Sequence, residues 1–226
     1  ALTRADGAAI LNQAMHLDVQ REGWNGFNVL HTAASRVGAL DLGFVSEVEM
    51  VDAKAVYLLG ADNVGVSEDA FVIYQGTHGD EGVRHADVIL PGAAYTEKSG
   101  LYVNMEGRVQ LAPRAVFPVG DAREDWTIIR ALSDVLGHML PFDDLSELRA
   151  KLVEAHPHFA EVDTIMAAEW TGVEKPEGDI AGGEFAPVVE NYYLTNPIAR
   201  ASETMDACVR EILGQGEQEE ATGTHG

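Results

Sequence analysis

Cysteine, positive charge and long apolar runs are all scarce in this sequence of 226 residues. The one cysteine, Cys208, cannot form an internal disulfide or an all-cysteine metal site, and such scarcity is typical of a reducing compartment. We interpret Cys208 as a packed thiol rather than a reactive one. No apolar run approaches the roughly 20 residues that span a bilayer. The sequence therefore predicts no direct membrane insertion.

Negative charge dominates the sequence, with 37 acidic residues against 15 basic ones and a formal net charge of -22. Such a chain repels nucleic acid phosphates and anionic lipid headgroups, so neither is an expected ligand. The sequence also lacks the GxxxxGK[ST] and GxGxxG phosphate-binding motifs and any CxxC pair. Nucleotide binding and iron-sulfur ligation by these residues alone are not predicted.

Three short apolar runs, each closed by Gly or Pro-Gly, predict β-strands. They are "AVYLLG" at 55–60, "FVIYQG" at 71–76 and "DVILPG" at 87–92. Continuous apolarity indicates strands covered on both faces, as in a parallel sheet between helix layers. The links between the runs are about ten residues long, which is barely enough for a crossover. We therefore expect an α/β fold whose connecting helices are short or missing.

Helical spacing of apolar residues occurs on both sides of these runs. Asp121 is a candidate cap for one helix, and Asp144 with Glu147 forms a capping-box pattern at the start of another. The second of these helices is expected to bury Leu145, Leu148 and Leu152. The predicted helices cover 6–20, 28–40, 121–137, 144–157 and 197–212, with 159–170 as a further candidate. The last dozen residues contain nothing apolar to pack and predict a flexible tail.

Three groups of polar residues are candidates for chemistry. His78, Asp80, Glu81 and His85 are types that bind metal or move protons, but their spacing matches no common zinc pattern. Gly76, Gly79 and Gly82 make that segment a turn-rich loop, so we favour side chains that face water. The second group is the "TEKSG" segment, where Ser99 follows Lys98 without a nucleophile elbow. We interpret Glu97 and Lys98 as a surface pair.

The segment "NMEGR" offers a third candidate. Glu106 and Arg108 can pair with each other or contact an anion, and Asn104 precedes them. Gly107 permits a positive φ or a close approach of the backbone. A structural turn is the favoured interpretation on composition.

Two long segments carry a resemblance to a known family. The first covers residues 71–137, from "FVIYQGTHGDEGVRHADVILPGAAYTEKSGLYVNMEGRVQ" to "SDVLG". The second is "NYYLTNPIARASETMDAC", residues 191–208. Together they resemble the large iron-sulfur subunit of respiratory complex I, the 75 kDa or G subunit. The stretch 86–110 is similar, more distantly, to molybdopterin oxidoreductases such as formate dehydrogenases.

This resemblance implies Rossmann-like layers of a molybdopterin-oxidoreductase-type α/β domain at 1–140. A helical and loop extension at 141–213 and an acidic tail at 214–226 follow. It implies a scaffold role in NADH:quinone oxidoreductase, with no catalytic, cofactor-binding or metal residues here. The [4Fe-4S] and [2Fe-2S] clusters are expected in an N-terminal part of a longer polypeptide. Other hydrophilic-arm subunits are the implied partners, at the inner membrane on the bacterial cytoplasmic or mitochondrial matrix side.

Two alternatives stay open at the level of sequence. One is a functional molybdopterin-binding domain, with a polar pocket ringed by Asn104, Glu106 and Arg108. The family's upstream metal ligand and downstream barrel are not recognisable here, which disfavours that alternative. The other is an acidic scaffold protein with no redox role. A chain that begins "ALTRADGAAIL" without Met is expected to be processed or part of something longer.

Overall fold

A computed structural model describes residues 10, 13–14, 17, 30–31, 36–44, 53–62, 64–165, 189 and 191–214. The chain divides into two compact units. The first comprises Ala1–Phe44, Tyr102–Gln110 and His156–Glu190. The second comprises Val45–Leu101, Leu111–Ala155 and Asn191–Gly226. The division predicted from the sequence, at residues 140 and 213, remains a prediction.

The described helices and strands follow one another in the order α1, β1, β2, α2, β3, β4, β5, α3, α4, α5, α6. Their bounds are α1 Arg36–Asp41, β1 Ala55–Leu59, β2 Phe71–Gly76, α2 Glu81–Arg84, β3 Val88–Pro91, β4 Gly100–Val103, β5 Val109–Ala112, α3 Asp125–Val135, α4 Leu145–Ala155, α5 Pro197–Arg200 and α6 Glu203–Leu213. Two 3-10 turns add Pro157–Ala160 and Tyr192–Leu194.

A three-stranded parallel sheet in the order β1-β2-β3 forms the core of the second unit. Val72 and Tyr74 of the central strand β2 are almost fully buried, and they pack with Val56 and Leu58 of β1. The predicted α/β fold with a parallel sheet is thus confirmed. The prediction that all three strands are covered on both faces is not confirmed, because Ile89 on the edge strand β3 is exposed.

The short links between the strands behave as expected. The second link, between β2 and β3, contains only the four-residue helix α2. In the first link, none of the described residues is helical. Links of this length bring the chain back to the sheet with little room for a covering helix.

Strands β4 and β5 form a separate two-stranded sheet that the apolar runs did not predict. Residues 104–108 join them, a connection too short for a parallel crossover, so the pair is an antiparallel hairpin. The turn that was predicted around Gly107 therefore closes a hairpin.

Helix α3 begins later than predicted. Glu124 is its N-cap, and Asp121 lies in the preceding turn. The reason is a bridge between Gly92 and Arg123, which keeps the chain extended just before the helix.

Helix α4 begins with the predicted cap. Asp144 Oδ1 accepts hydrogen bonds from the backbone N–H groups of Ser146 and Glu147 at 2.8 and 2.9 Å. The bond from the Glu147 N–H is the main cause of a lowered pKa for the Asp144 carboxyl. Glu147 in turn accepts from the N–H of Asp143, not from that of Asp144. The three leucines expected to be buried here are only half-buried.

Three other helix predictions need correction. The candidate helix at 159–170 is wrong over 161–165, where a bend and a turn at 161–163 are followed by two residues without regular structure. Residues 159–160 end a 3-10 turn, and 166–170 lie outside the described residues. The helix predicted at 197–212 is broken, because Ser202 caps a new helix, α6, directly after α5. The helix predicted at 28–40 is described only as α1, and Leu30 and His31 lie outside it. Most of 6–20 and of the acidic tail lies outside the described residues.

Candidate functional site

The carboxyl ends of the three parallel strands meet at one edge of the sheet, which is where ligands bind in many α/β folds. Gly92 follows β3 at this edge, and its N–H donates to the Gly76 carbonyl at 2.8 Å. A Cβ atom at Gly92 would stand 2.9 Å from Asp125 Oδ1. A side chain here fits only if the Asp125 carboxylate moves, so the Pro-Gly ending of this strand has a steric cause.

A continuous chain of hydrogen bonds starts from Lys98 in the "TEKSG" segment. Lys98 Nζ pairs with Asp125 Oδ2, and Asp125 Oδ1 accepts from Gln75 Nε2 at 2.8 Å. Gln75 is fully buried, and its Oε1 accepts from the Tyr57 hydroxyl. Burial, followed by the nearby charge of Asp125, raises the pKa of Tyr57. Lys98 is therefore part of the core network and does not form the expected surface pair with Glu97.

The other polar groups of "TEKSG" hold backbone. Glu97 Oε2 accepts from the N–H of Ala94 at 2.9 Å. Ser99 Oγ accepts from the N–H of Arg114 at 3.0 Å. The Thr96 carbonyl accepts from the N–H groups of Ala115 and Val116 at 2.9 and 3.1 Å. These side chains order two loops, and Ser99 has no base beside it among its described contacts.

The "NMEGR" turn lies in the first unit. Asn104 Oδ1 accepts from the N–H groups of Glu106 and Arg108 at 2.9 and 3.0 Å, and Gly107 has a φ of 79°. Glu106 Oε2 lies 3.6 Å from Arg108 Nη2. Arg108 Nη1 donates to the carbonyl of Asp163 at 2.6 Å. Arg108 thus links the hairpin to Asp163 by a hydrogen bond. Its ion pair with Glu106 is not buried, because Glu106 is exposed and Arg108 is only half-buried.

The four residues that were considered as candidates for a metal or proton site are not brought together. Asp80 pairs with Arg200, and Glu81 pairs with Arg84 at 2.6 Å. His78 Nδ1 contacts Thr77 Oγ1 at 3.0 Å, and His85 is exposed. Within the described ranges, no group of three or more His, Cys, Asp or Glu side chains is arranged to hold a metal ion.

Asp62 and Tyr74 are two residues of this edge that sequence patterns did not indicate. Asp62 follows β1, is 6% exposed, and accepts from the N–H of Gly82 at 3.3 Å. The Tyr74 hydroxyl donates to the carbonyl of His78 at 2.9 Å. Burial, and then the charge of Asp62, raises the pKa of Tyr74 to about 12. A lone Asp after an apolar strand carries no sequence signal strong enough to predict this cluster.

The chemistry of this edge can be compared with that of a molybdopterin cofactor, which the fold family implies. Its phosphate and sulfur atoms are anionic and need cations or N–H donors that are free to face them. At the described edge, Lys98 pairs with Asp125 and Arg200 pairs with Asp80. Asp62 adds a buried carboxyl group with one oxygen lacking a protein partner. Among the described residues of this edge, Lys98 and Arg200 are therefore not free to face an anionic pterin.

These features define an α/β domain in which the loops at the carboxyl edge of a parallel sheet are tied to one another and to the core. Residues 1–135 match the family described as molybdopterin oxidoreductase, and the chain belongs to that family. Residues 165–208 match a second family, described as the C-terminal part of the G subunit of NADH-ubiquinone oxidoreductase.

Curated relatives are similar over most of the chain. The 75 kDa subunit of NADH-ubiquinone oxidoreductase from Reclinomonas americana is 43% identical and covers 92% of this chain, which spans 32% of that relative. The mitochondrial NADH dehydrogenase [ubiquinone] iron-sulfur protein 1 of Solanum tuberosum is 47% identical over 89% of this chain and 28% of that relative. The 78 kDa subunit of NADH-ubiquinone oxidoreductase from Candida albicans is 48% identical over 82% of this chain and 28% of that relative. The resemblance stated from the sequence is confirmed.

The chain spans a third or less of the length of these relatives. Among solved structures, an acetylene hydratase from Pelobacter acetylenicus has 21% identity and a TM-score of 0.38, covering 72% of this chain and 23% of that one. That likeness is too weak to bear on function. In the part of the chain described, no helix has the length and apolar character to cross a membrane.

Proposed function

We propose that this chain is part of the peripheral-arm iron-sulfur subunit of NADH:quinone oxidoreductase. That enzyme passes electrons from NADH to quinone and couples the transfer to proton translocation. The observation that carries the proposal is the 43–48% identity to 75 and 78 kDa subunits over 82–92% of the chain. Matches at this level along nearly the whole chain are not explained by a shared fold alone.

Within that subunit, we assign the chain a structural role without a cofactor of its own. Support comes from the polar groups of the stretch 86–110, which are engaged in internal contacts. Lys98 pairs with Asp125, Ser99 holds the backbone of Arg114, and Arg108 binds the Asp163 carbonyl. A catalytic or cofactor-binding loop would present such groups to a ligand.

The iron-sulfur clusters of the subunit are assigned to a part of the polypeptide outside these 226 residues, because Cys208 is the only cysteine here. The expected partners are other subunits of the hydrophilic arm. The expected location is peripheral to the inner membrane, on the bacterial cytoplasmic or mitochondrial matrix side, through those partners.

The test is native electrophoresis of detergent-solubilised membranes, with a stain for NADH dehydrogenase activity and a blot for this chain. The proposal expects the blot signal to coincide with a very large NADH-active band. A denaturing second dimension then identifies the polypeptide that carries the signal. A signal that runs at low mass, away from every NADH-active band, contradicts the proposal.

A further inference from the structure

Asp62 lies shortly after β1 at the carboxyl edge of the sheet, and only one of its two carboxyl oxygens has a protein partner. The residue is 6% exposed, and its Oδ1 accepts from the N–H of Gly82 at 3.3 Å. Its Oδ2 is buried without a hydrogen-bond partner among the described residues. A buried carboxylate is unfavourable unless a donor or a cation satisfies it, so this oxygen points to a ligand.

Tyr74 and two glycines form a cradle around this carboxyl group. Gly82 contacts two of its members, because its N–H reaches Asp62 and a Cβ atom on it would stand 2.9 Å from the Tyr74 ring. A Cβ atom on Gly76 would overlap the Tyr74 hydroxyl. Both glycines therefore let the backbone close around the tyrosine. We call Asp62, Tyr74, Gly76, His78 and Gly82 the edge cradle.

The Tyr74 hydroxyl cannot supply the donor that Asp62 lacks. It has a single proton, which it donates to the carbonyl of His78 at 2.9 Å. The Asp62 carboxyl lies close to this hydroxyl, and burial followed by the charge of Asp62 raises the pKa of Tyr74 to about 12. The edge cradle thus brings together carboxylate, hydroxyl and carbonyl oxygens, all of which can accept, with one proton among them.

The charge of Asp62 is not neutralised within the described part of the chain, where no ion pair includes it. Arg200 acts on the Tyr74 hydroxyl as well, but its Nε pairs with Asp80 and its Nη1 donates to the Leu194 carbonyl. Because Asp80 and Arg200 cancel each other, one negative charge remains. A single charge among neutral oxygens suits a monovalent cation, whereas Ca²⁺ takes six or more oxygen ligands and often several carboxylates.

We propose that the edge cradle binds a monovalent metal cation, K⁺ or Na⁺, through Asp62 Oδ2 together with the Tyr74 hydroxyl and His78 carbonyl oxygens. The ion supplies the charge that the buried carboxylate lacks. It also holds the loop after β2 to the end of β1, since these ligands come from both segments. The ion has a structural role, and its binding does not depend on the proposed function.

The test is hydrogen exchange of the purified complete polypeptide at pH 7, followed by mass spectrometry of its peptides. Exchange is compared in KCl, in NaCl and in choline chloride at one ionic strength, because choline has no bare charge for oxygen ligands to coordinate. The peptide that contains Gly82 reports on the edge cradle, and the peptide of helix α4 is the internal control. Asp62→Asn removes the charge with little change of shape.

Asp87→Asn is the matched control variant. Asp87 is a second carboxylate beside the same sheet, but its Oδ2 already accepts from the N–H of Val72 at 2.7 Å. An amide side chain keeps an oxygen that can accept this bond. The control therefore changes one charge near the sheet and leaves the edge cradle intact.

The proposal expects K⁺ or Na⁺, at about ten times its Kd, to slow exchange of the Gly82 peptide by about tenfold relative to choline. The α4 peptide should not respond. The effect should vanish in Asp62→Asn and persist in Asp87→Asn. In choline, Asp62→Asn should exchange more slowly than the unaltered chain, because no unpaired charge is left.

Equal exchange in the three salts overturns the proposal, since a bound water molecule or a protonated Asp62 would give that result. A cation effect that persists in Asp62→Asn, or that appears equally in the α4 peptide, overturns it as well. If Asp62→Asn fails to fold, Tyr74→Phe decides, because it removes one oxygen ligand and keeps the ring. The cation concentration for half of the effect should then rise by about threefold or more, and an unchanged value contradicts the site.

Discussion

Arg200 in helix α5 donates a hydrogen bond from Nε to Oδ2 of Asp80, across 120 residues of sequence. The two side chains are only 23% and 19% exposed. A second guanidinium nitrogen of Arg200 donates to the carbonyl of Leu194 at 3.1 Å. This contact fastens the helical C-terminal segment to the loop that follows β2.

Replacement of Arg200 by Ala should lower the free energy of unfolding by about 1–3 kcal/mol, because it leaves the Asp80 carboxylate and the Leu194 carbonyl without their partner. Urea unfolding of the chain measures this change. Arg210→Ala is the matched control, since Arg210 and Asp206 form an exposed pair on α6. That control should change stability by less than about 0.5 kcal/mol. Equal losses of stability in the two variants would show that the contact with Asp80 stabilises the chain no more than an exposed ion pair does.

The sequence predicted those parts of the fold that depend on local patterns. Continuous apolar runs located β1, β2 and β3, and Asp144 with Glu147 marked the start of α4. Such signals lie within a few residues of the element that they predict. The β4–β5 hairpin was missed because neither of its strands, GLYV or VQLA, belongs to a continuous apolar run like those of β1, β2 and β3, although the turn around Gly107 was recognised.

The remaining features depend on partners that are distant in sequence. Helix α3 starts after Arg123 rather than at Asp121 because Arg123 bridges to Gly92. Lys98 pairs with Asp125, 27 residues away, and not with its neighbour. No spacing rule links such residues, so the role of the "TEKSG" segment emerges only from the folded chain.

The Asp80 carboxyl should give the stability a recognisable dependence on acid. Its pKa is lowered from 3.8, chiefly by the hydrogen bond from Arg200. The folded state thus binds this proton less tightly than the unfolded state does. The stability that it contributes is complete above pH 3.8 and is lost as the pH falls below that value. Urea unfolding at a series of pH values measures this loss, and Asp80→Asn should make the loss smaller. If Asp80→Asn lost as much unfolding free energy at low pH as the unaltered chain, the loss would not be due to Asp80.

Gly92→Ala should destabilise the second unit by about 1–3 kcal/mol, since overpacking forces neighbours to move. The added Cβ stands 2.9 Å from Asp125 Oδ1, so Asp125 must shift away from Gln75 and Lys98. Thermal unfolding measures the effect. Gly65→Ala is the control, because a Cβ at Gly65 meets nothing within 4 Å. A control that destabilises as much as Gly92→Ala contradicts the steric explanation.

Asp163 is the one described residue other than glycine with a positive φ, 61°. Its N–H donates to the Val109 carbonyl at 2.7 Å, and its carbonyl accepts from Arg108. Asp163→Val should destabilise by about 1–2 kcal/mol, because a β-branched residue disfavours this backbone. Asp163→Gly should change stability by less than about 1 kcal/mol. Urea unfolding of both variants tests the prediction, and a Val variant as stable as the Gly variant would count against it.

The central claim is that the stretch 86–110 supports structure and takes no part in electron transfer. The most direct measurement is NADH:quinone turnover per assembled complex in Arg108→Ala. Because Arg108 holds the hairpin to residue 163, we expect less assembled complex but unchanged turnover in each one that forms. Arg84→Ala, which removes only an exposed pair with Glu81, serves as the control and should alter neither. A fully assembled complex with Arg108→Ala whose turnover falls about tenfold or more would contradict the claim, since losses of that size are typical of groups that act in the reaction.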